Sequence, residues 1–167
     1  MAQSSEEVAY EVALRRLDSQ MQRVDTIDSR IGVVLGLAGT ALGIFAGFIA
    51  IVVDPDNLAS IIFAAVSGAI ILIVYLLAMW NGLLVSTKGE WDERPNWDEL
   101  LLNASKLELP AMHLWIAQGC VMSLQENEAK LQSKTSAAAA ATRLALVVAI
   151  FVAFALIGLF LVTATFG

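Results

Sequence analysis

Three long stretches of this chain contain no charged residue, and they restrict what it can fold into. They are residues 31–53, 58–87 and 144–167. An α-helix needs about 20 apolar residues to cross the roughly 30 Å hydrocarbon core of a bilayer, and each stretch is long enough. The alternative is that they are core helices of a large soluble protein, but 167 residues are too few to cover three of them. We therefore expect an all-α integral membrane protein with three transmembrane helices.

Composition supports this expectation and narrows the partners. Hydrophobic residues make up 58% of the chain and charged residues only 16%, whereas soluble proteins have roughly half and about a quarter. The net charge is −6, so the clustered basic residues of a nucleic-acid-binding protein are not expected. The lipid bilayer is the expected partner, and nucleic acid is not. A single cysteine excludes an internal disulfide bond.

The basic residues predict the orientation of the chain. Of the ten Lys and Arg residues, four precede the first apolar stretch and six lie between the second and the third. The positive-inside rule places both groups in the cytoplasm, so the N-terminus is expected inside, the C-terminus outside, and the chain in the cell (inner) membrane as a multi-pass protein. The predicted segments are a cytoplasmic N-terminal amphipathic helix (1–30), the first span (31–53), an external turn (54–57), the second span (58–87, its end projecting into the cytoplasm), a cytoplasmic helical region (88–142) and the third span (143–167).

The two cytoplasmic segments carry the pattern of helices that pack on other helices. Residues 4–30 are expected to form a helix that Ser4 and Glu7 cap, with Glu11 and Arg15 as an exposed ion pair. Its apolar residues recur in steps of three and four at Tyr10, Leu14, Leu17, Met21 and Val24. After Pro110, a second helix is expected to run unbroken through the third span, with an apolar series at Leu114, Ala117, Val121, Leu124, Leu131 and Ala138.

One acidic residue interrupts each of these apolar series. Asp28 occupies the next position of the first series, and Glu128 fills a position of the second. Because both are expected at similar heights below the membrane, we predict that they meet Arg30 or Lys130 across helices. The four residues Asp28, Arg30, Glu128 and Lys130 are candidate switch points at the membrane edge.

The first span contains five glycines that share one side of the helix. They are spaced by four, three, four and four residues, and each costs about 0.5–1 kcal/mol relative to alanine inside a helix. Small residues on one face allow helix backbones to approach closely where lipid offers no hydrophobic driving force. We expect this face to pack on the second or third span, between subunits of a homo-oligomer, or both. The glycines are Gly32, Gly36, Gly39, Gly43 and Gly47.

Residues that would indicate catalysis or cofactor binding are missing from the sequence. No phosphate-binding loop, dinucleotide fingerprint, zinc-protease motif or nucleophile elbow is present. His113 is expected to have a plain surface or packing role and Cys120 to be an inert thiol. The acidic residues Asp92, Glu93, Asp98 and Glu99 are expected to form a solvated cluster. The three stretches 31–53, 58–87 and 144–167 contain no charged residue, which argues against a pump or an ion-coupled carrier that acts as a monomer. We expect no enzyme activity, no cofactor and no metal.

Two short motifs and the order of the segments resemble a family of small prokaryotic membrane proteins. Residues 24–30 (Val-Asp-Thr-Ile-Asp-Ser-Arg) open the first span with an acid-x-base step, and residues 126–130 with Lys134 form an Asn- and Lys-bearing helix before the last span. These features resemble the SLATT and Pycsar-type transmembrane effectors of anti-phage signalling. The chain departs from the family pattern at Arg30 and Ile31, where lysine and alanine are usual.

The resemblance implies an effector that assembles and compromises the inner membrane when infection is sensed. The implied partners are a cytoplasmic sensor protein or a nucleotide second messenger. Our leading hypothesis is a homo-oligomer that perturbs or permeabilises the cytoplasmic membrane on a signal. The alternatives are a non-enzymatic anchor or scaffold for a soluble partner, or an accessory subunit of a membrane complex.

Overall fold

The computed structural model describes residues 4–87, 91, 97–104 and 106–166. The regular elements in these residues are four α-helices, and three of them are long and apolar enough to cross a membrane. The predicted all-α fold class with three membrane-type helices is therefore confirmed. The helices are α1 (Ser5–Val52), α2 (Leu58–Ser86), α3 (Trp97–Ala104) and α4 (Leu109–Phe166).

Local chemistry explains where the helices begin and end. Ser4 caps α1, since its hydroxyl accepts a hydrogen bond from the backbone N–H of Glu7 at 3.2 Å, as predicted. After α1, the backbone N–H of Asp56 donates to a carboxylate oxygen of Asp54 at 2.9 Å, which forms a tight turn around Pro55. Asn57 then caps α2 by accepting from the backbone N–H of Ser60 at 3.2 Å.

Two of the helices are far longer than a bilayer is thick. α1 has 48 residues and α4 has 58, which correspond to about 72 Å and about 87 Å at 1.5 Å per residue. Each joins a charged segment to an apolar one without a break, which confirms the two continuous helices that the sequence predicts. Pro110 lies in the first turn of α4, where its missing N–H costs nothing.

The chain divides into two compact units. We call residues 1–27 and 88–134 the polar unit, and residues 28–87 and 135–167 the apolar unit. In the apolar unit, Phe45 of α1, Ile71 of α2 and Val148 of α4 are buried together, so all three helices contribute to one core. Ala137 and Ala141 are also buried.

The outer surface of the apolar unit is itself apolar. In the most apolar 18-residue segments of α1, α2 and α4, only 11%, 17% and 28% of the residues are buried inside the chain. Large side chains such as Leu37, Ile51 and Phe154 are exposed. Soluble proteins rarely leave so large a continuous apolar surface uncovered, whereas lipid covers it without cost.

In the polar unit, the core lies between α1 and α4 and contains both apolar and polar residues. Ala13 of α1 packs with Ile116, Ala117 and Cys120 of α4. The rings of Tyr10 and His113 stack with their centroids 4.9 Å apart and their planes 11° from parallel, so His113 has the predicted packing role. The predicted pair of Glu11 and Arg15 is present at 3.3 Å.

The predicted apolar series along α4 is confirmed only in part, since Ala117 and Leu131 are buried but Leu114 and Val121 are not. Leu114 and Val121 are each 46% exposed, whereas Cys120, Ser123 and Asn127 are fully buried. In α1, Leu14 is likewise exposed although Val24 is buried. Small and polar residues such as Cys120, Ser123 and Asn127 occupy places in the buried stripe that the predicted series gave to larger apolar side chains.

Candidate helix-packing face

At some glycines of the apolar unit, a side chain from another helix of the same chain occupies the space beside the glycine. A Cβ at Gly39 would lie 3.1 Å from the hydroxyl oxygen of Tyr75. A Cβ at Gly82 of α2 would lie 2.5 Å from Cδ1 of Leu35. At both positions a side chain from a neighbouring helix of the same chain lies close to the glycine, so a larger residue would require that side chain to shift.

The other four glycines of the predicted face have no such neighbour. A Cβ at Gly32, Gly36, Gly43 or Gly47 would meet nothing within 4 Å among the described residues. All four positions are exposed. Of the five glycines predicted to form one packing face, only Gly39 is therefore used by a described neighbour inside the chain.

The four open glycines lie on the opposite side of α1 from its buried residues. At about 100° per residue, Gly32, Gly36, Gly43 and Gly47 fall within an arc of about 60°. The centre of that arc is about 150° around the helix axis from the line of Ile31, Ala38 and Phe45, which are buried. Thr40 lies near this side, and its hydroxyl donates to the backbone carbonyl of Gly36 at 2.9 Å. The open arc therefore offers bare backbone to whatever packs on it from outside the chain.

The four candidate switch residues belong to different units. Asp28 and Arg30 are exposed in the apolar unit. In the polar unit, Glu128 is exposed and Lys130 is half-buried. The predicted pairing across helices stays a prediction.

A groove of about 440 Å³ runs between α1 and α4 in the polar unit. Arg15, Arg16 and Arg23 line it from α1, and Glu128 lines it from α4. Glu128 is therefore near basic side chains of α1. The groove continues past Val12 and Leu124 into a more apolar region of about 650 Å³.

Buried polar residues of the polar unit were missed by the sequence reasoning. Gln20 is 6% exposed, and its amide nitrogen donates to the backbone carbonyl of Leu124 at a long 3.4 Å. Ser123 and Asn127 are fully buried, and Lys134 is 3% exposed with its ammonium 5.7 Å from the centre of the Trp91 ring. Their spacing of four and seven residues on α4 was a usable signal.

Few groups in the described residues have perturbed acidity. Burial raises the pKa of the Cys120 thiol, which is 1% exposed, and a raised pKa leaves less of the reactive thiolate at neutral pH. Hydrogen bonds at the start of α1, from the backbone and from Ser4, lower the pKa of Glu6. No group of three or more metal-binding side chains occurs in the part of the chain that the structure describes. The predicted acidic cluster falls largely on residues outside that part, including Asp92 and Glu93.

Comparisons with known proteins add nothing to these observations. No family model matches the chain, and no curated protein or solved structure matches it either. The features of the chain that bear on its function are therefore the open glycine arc, the charge distribution and the groove.

Proposed function

We propose that this chain is a prokaryotic inner-membrane effector that self-associates and permeabilises the cytoplasmic membrane on a signal, in anti-phage defence. The single observation that carries the proposal is the open arc of Gly32, Gly36, Gly43 and Gly47. Four glycines inside one helix cost about 0.5–1 kcal/mol each, and no described residue of the chain uses them. Close packing of this arc against another copy would offset this cost through contacts between the two helices.

The orientation we propose has the N-terminus and the polar unit in the cytoplasm and the C-terminus outside. Its support is the distribution of Lys and Arg, since the turn of residues 54–57 contains none of the ten. Cationic residues near span ends are retained on the cytoplasmic side. In this orientation, the polar unit is available to a cytoplasmic sensor.

Self-association is the step that would allow this three-helix chain to permeabilise the membrane. Three helices from one chain cannot enclose an aqueous path, so any leak must form between or around copies. A residue such as Leu at the centre of the open arc would hold two backbones apart and weaken association. The signal is proposed to act on the polar unit through a sensor protein or a nucleotide second messenger, as the family resemblance implies.

Membrane potential in expressing bacteria tests the proposal. High expression drives association by mass action without the signal, so the native chain should depolarise cells that carry a potential-sensitive dye. Gly43→Leu should abolish depolarisation at equal membrane abundance. Ala69→Leu, which enlarges an exposed residue of α2, is the matched control and should depolarise like the native chain. Equal depolarisation by the native chain and Gly43→Leu would reject this mechanism.

A second candidate function is that of a membrane anchor for a soluble partner. It is favoured by exposed apolar side chains along the groove of the polar unit, where Leu114, Val121 and Met122 line a region of about 460 Å³. This alternative predicts no depolarisation on expression. It also predicts a stoichiometric soluble partner that co-purifies with the native chain and is lost from a Val121→Glu variant.

A further inference from the structure

The part of α1 in the polar unit carries two charged stripes. Acidic residues recur every seven positions at Glu11, Asp18 and Asp25, and arginines recur with the same period at Arg16 and Arg23. Seven residues make almost two full turns of an α-helix, so each stripe keeps to one side of α1. At about 100° per residue, the acidic and arginine stripes lie about 150° apart, on nearly opposite sides of the helix.

The arginine stripe forms one wall of the groove between α1 and α4. Arg16 and Arg23 both line the groove and are exposed, and neither forms an ion pair within 4 Å with a described residue. Gln20 lies between them on the same wall. Its Oε1 is the one buried side-chain oxygen or nitrogen without a hydrogen-bond partner among the described residues. The three arginines of the groove, Arg15, Arg16 and Arg23, outnumber its one acidic residue, Glu128, so this side of the polar unit has a net positive charge.

The acidic stripe faces away from the groove. Asp18 and Asp25 are exposed. Asp18 accepts a hydrogen bond from the side-chain amide of Gln22 at 3.0 Å, and neither aspartate forms an ion pair with a described residue. Glu11, by contrast, already pairs with Arg15 at 3.3 Å. Two aspartates on one side of α1 are therefore available to cations from outside the chain.

We propose that the arginine wall of one copy receives the acidic stripe of a second copy, with Asp18 pairing with Arg16 and Asp25 with Arg23. This proposal rests on the self-association proposed above and describes how the cytoplasmic parts meet. Copies inserted in the same direction, and related by an axis along the membrane normal, hold equal residues at equal heights. Each proposed pair is two residues apart in number, which is about 3 Å of helix rise and within reach of an arginine side chain.

The proposed pairing determines the symmetry of the assembly. One copy uses its arginine wall towards one neighbour and its acidic stripe towards the other, so the interface is head-to-tail and closes into a ring. A face-to-face dimer through the acidic stripes is disfavoured because it would bring four aspartates together. Since exposed ion pairs are screened by salt, the ring should loosen as ionic strength rises.

Charge reversal of the full chain in mild detergent tests the pairing, with molecular mass by light scattering as the readout. The native chain should be a multimer at 50 mM salt and lose mass at 500 mM. Arg16→Glu with Arg23→Glu, or Asp18→Arg with Asp25→Arg, should each reduce the mass to that of a single chain. Co-expression of the two reversed chains should restore the multimer at a one-to-one ratio. The control, Asp98→Arg with Lys106→Glu, reverses exposed charges outside α1 and should keep the native mass.

The outcomes separate this interface from self-association as such. A native chain that is monomeric at every concentration would overturn both proposals. A native multimer that both reversals leave intact would overturn the pairing alone, and so would reversed chains that co-expression fails to rescue. If inorganic phosphate stabilises the native chain against heat, and the arginine reversal removes that effect without changing the mass, the groove holds a small anion and the pairing is wrong.

Discussion

The ring of Phe63 in α2 lies against Gly158 of α4, so that a Cβ at position 158 would come within 2.5 Å of the ring's Cζ and 3.2 Å of its Cε1. The space beside Gly158 is therefore occupied by a side chain of the same chain, just as Leu35 occupies the space beside Gly82. The open glycines of α1 differ from it in having no described neighbour. The contrast predicts that substitutions at the two kinds of glycine have different effects.

Substitution of Gly158 should weaken the fold of the single chain. Gly158→Val places two methyl groups against the Phe63 ring, and such overpacking costs roughly 1–3 kcal/mol. We expect a lower thermal midpoint in detergent that keeps the chain monomeric. Ala153→Val, at an exposed position of the same helix, should change the midpoint little. Equal midpoints for both variants would mean that the Phe63 contact is absent.

Substitution of Gln20 should stabilise the polar unit. Its Oε1 is buried without a partner, which costs about 1–3 kcal/mol, and its one hydrogen bond to Leu124 is long. Gln20→Leu removes the unpaired oxygen and should raise the thermal midpoint of the monomeric chain. A fall in the midpoint of Gln20→Leu would show that the amide is satisfied in the folded chain.

The buried thiol of Cys120 should make stability depend on alkaline pH. Burial raises its pKa in the folded chain, whereas the unfolded thiol ionises near the ordinary value of about 8.5. The unfolded state then loses its proton first, so the stabilisation is complete below that value and declines as pH rises through the folded pKa. The midpoint difference between the native chain and Cys120→Ala should therefore shrink between pH 7.5 and pH 10. A constant difference would contradict a buried thiol.

The orientation of the chain can be tested by labelling single cysteines in a Cys120→Ala background. Asp56→Cys lies in the turn between α1 and α2, and Lys106→Cys lies between α3 and α4; both positions are exposed. In intact cells whose outer barrier is permeable, a membrane-impermeant maleimide should label position 56 and leave position 106 unlabelled until the cells are lysed. Labelling of position 106 alone would invert the topology.

The sequence was sufficient to predict the helices because their signals are local. Each signal acts on the residues beside it. These signals are the charge-free runs, the Ser4 cap, the turn at Pro55, and Pro110 at the start of α4. The buried stripe was predicted only in part, because the side chains that it contains depend on how two helices pack and not on local sequence alone. Apolar size suggested Leu114 and Val121, whereas close packing buried Cys120 and Asn127.

The candidate packing face could be predicted only in part for the same reason. The spacing of the five glycines placed them on one side of α1, but it could not tell which of them a neighbouring helix would cover. That depends on the position of Tyr75, which reaches Gly39 and none of the other four. Gln20 was missed because nothing in its local sequence signals burial.

The mass of the native chain, compared with that of a variant at the centre of the open glycine arc, shows whether this arc joins copies of the chain. Both chains would be extracted in the same mild detergent, and their masses measured by light scattering with the detergent contribution subtracted. We expect a multimer for the native chain and for Ala69→Leu, and a single chain for Gly43→Leu with unchanged helix content. A Gly43→Leu chain with the mass of the native multimer would contradict the claim that this face joins copies.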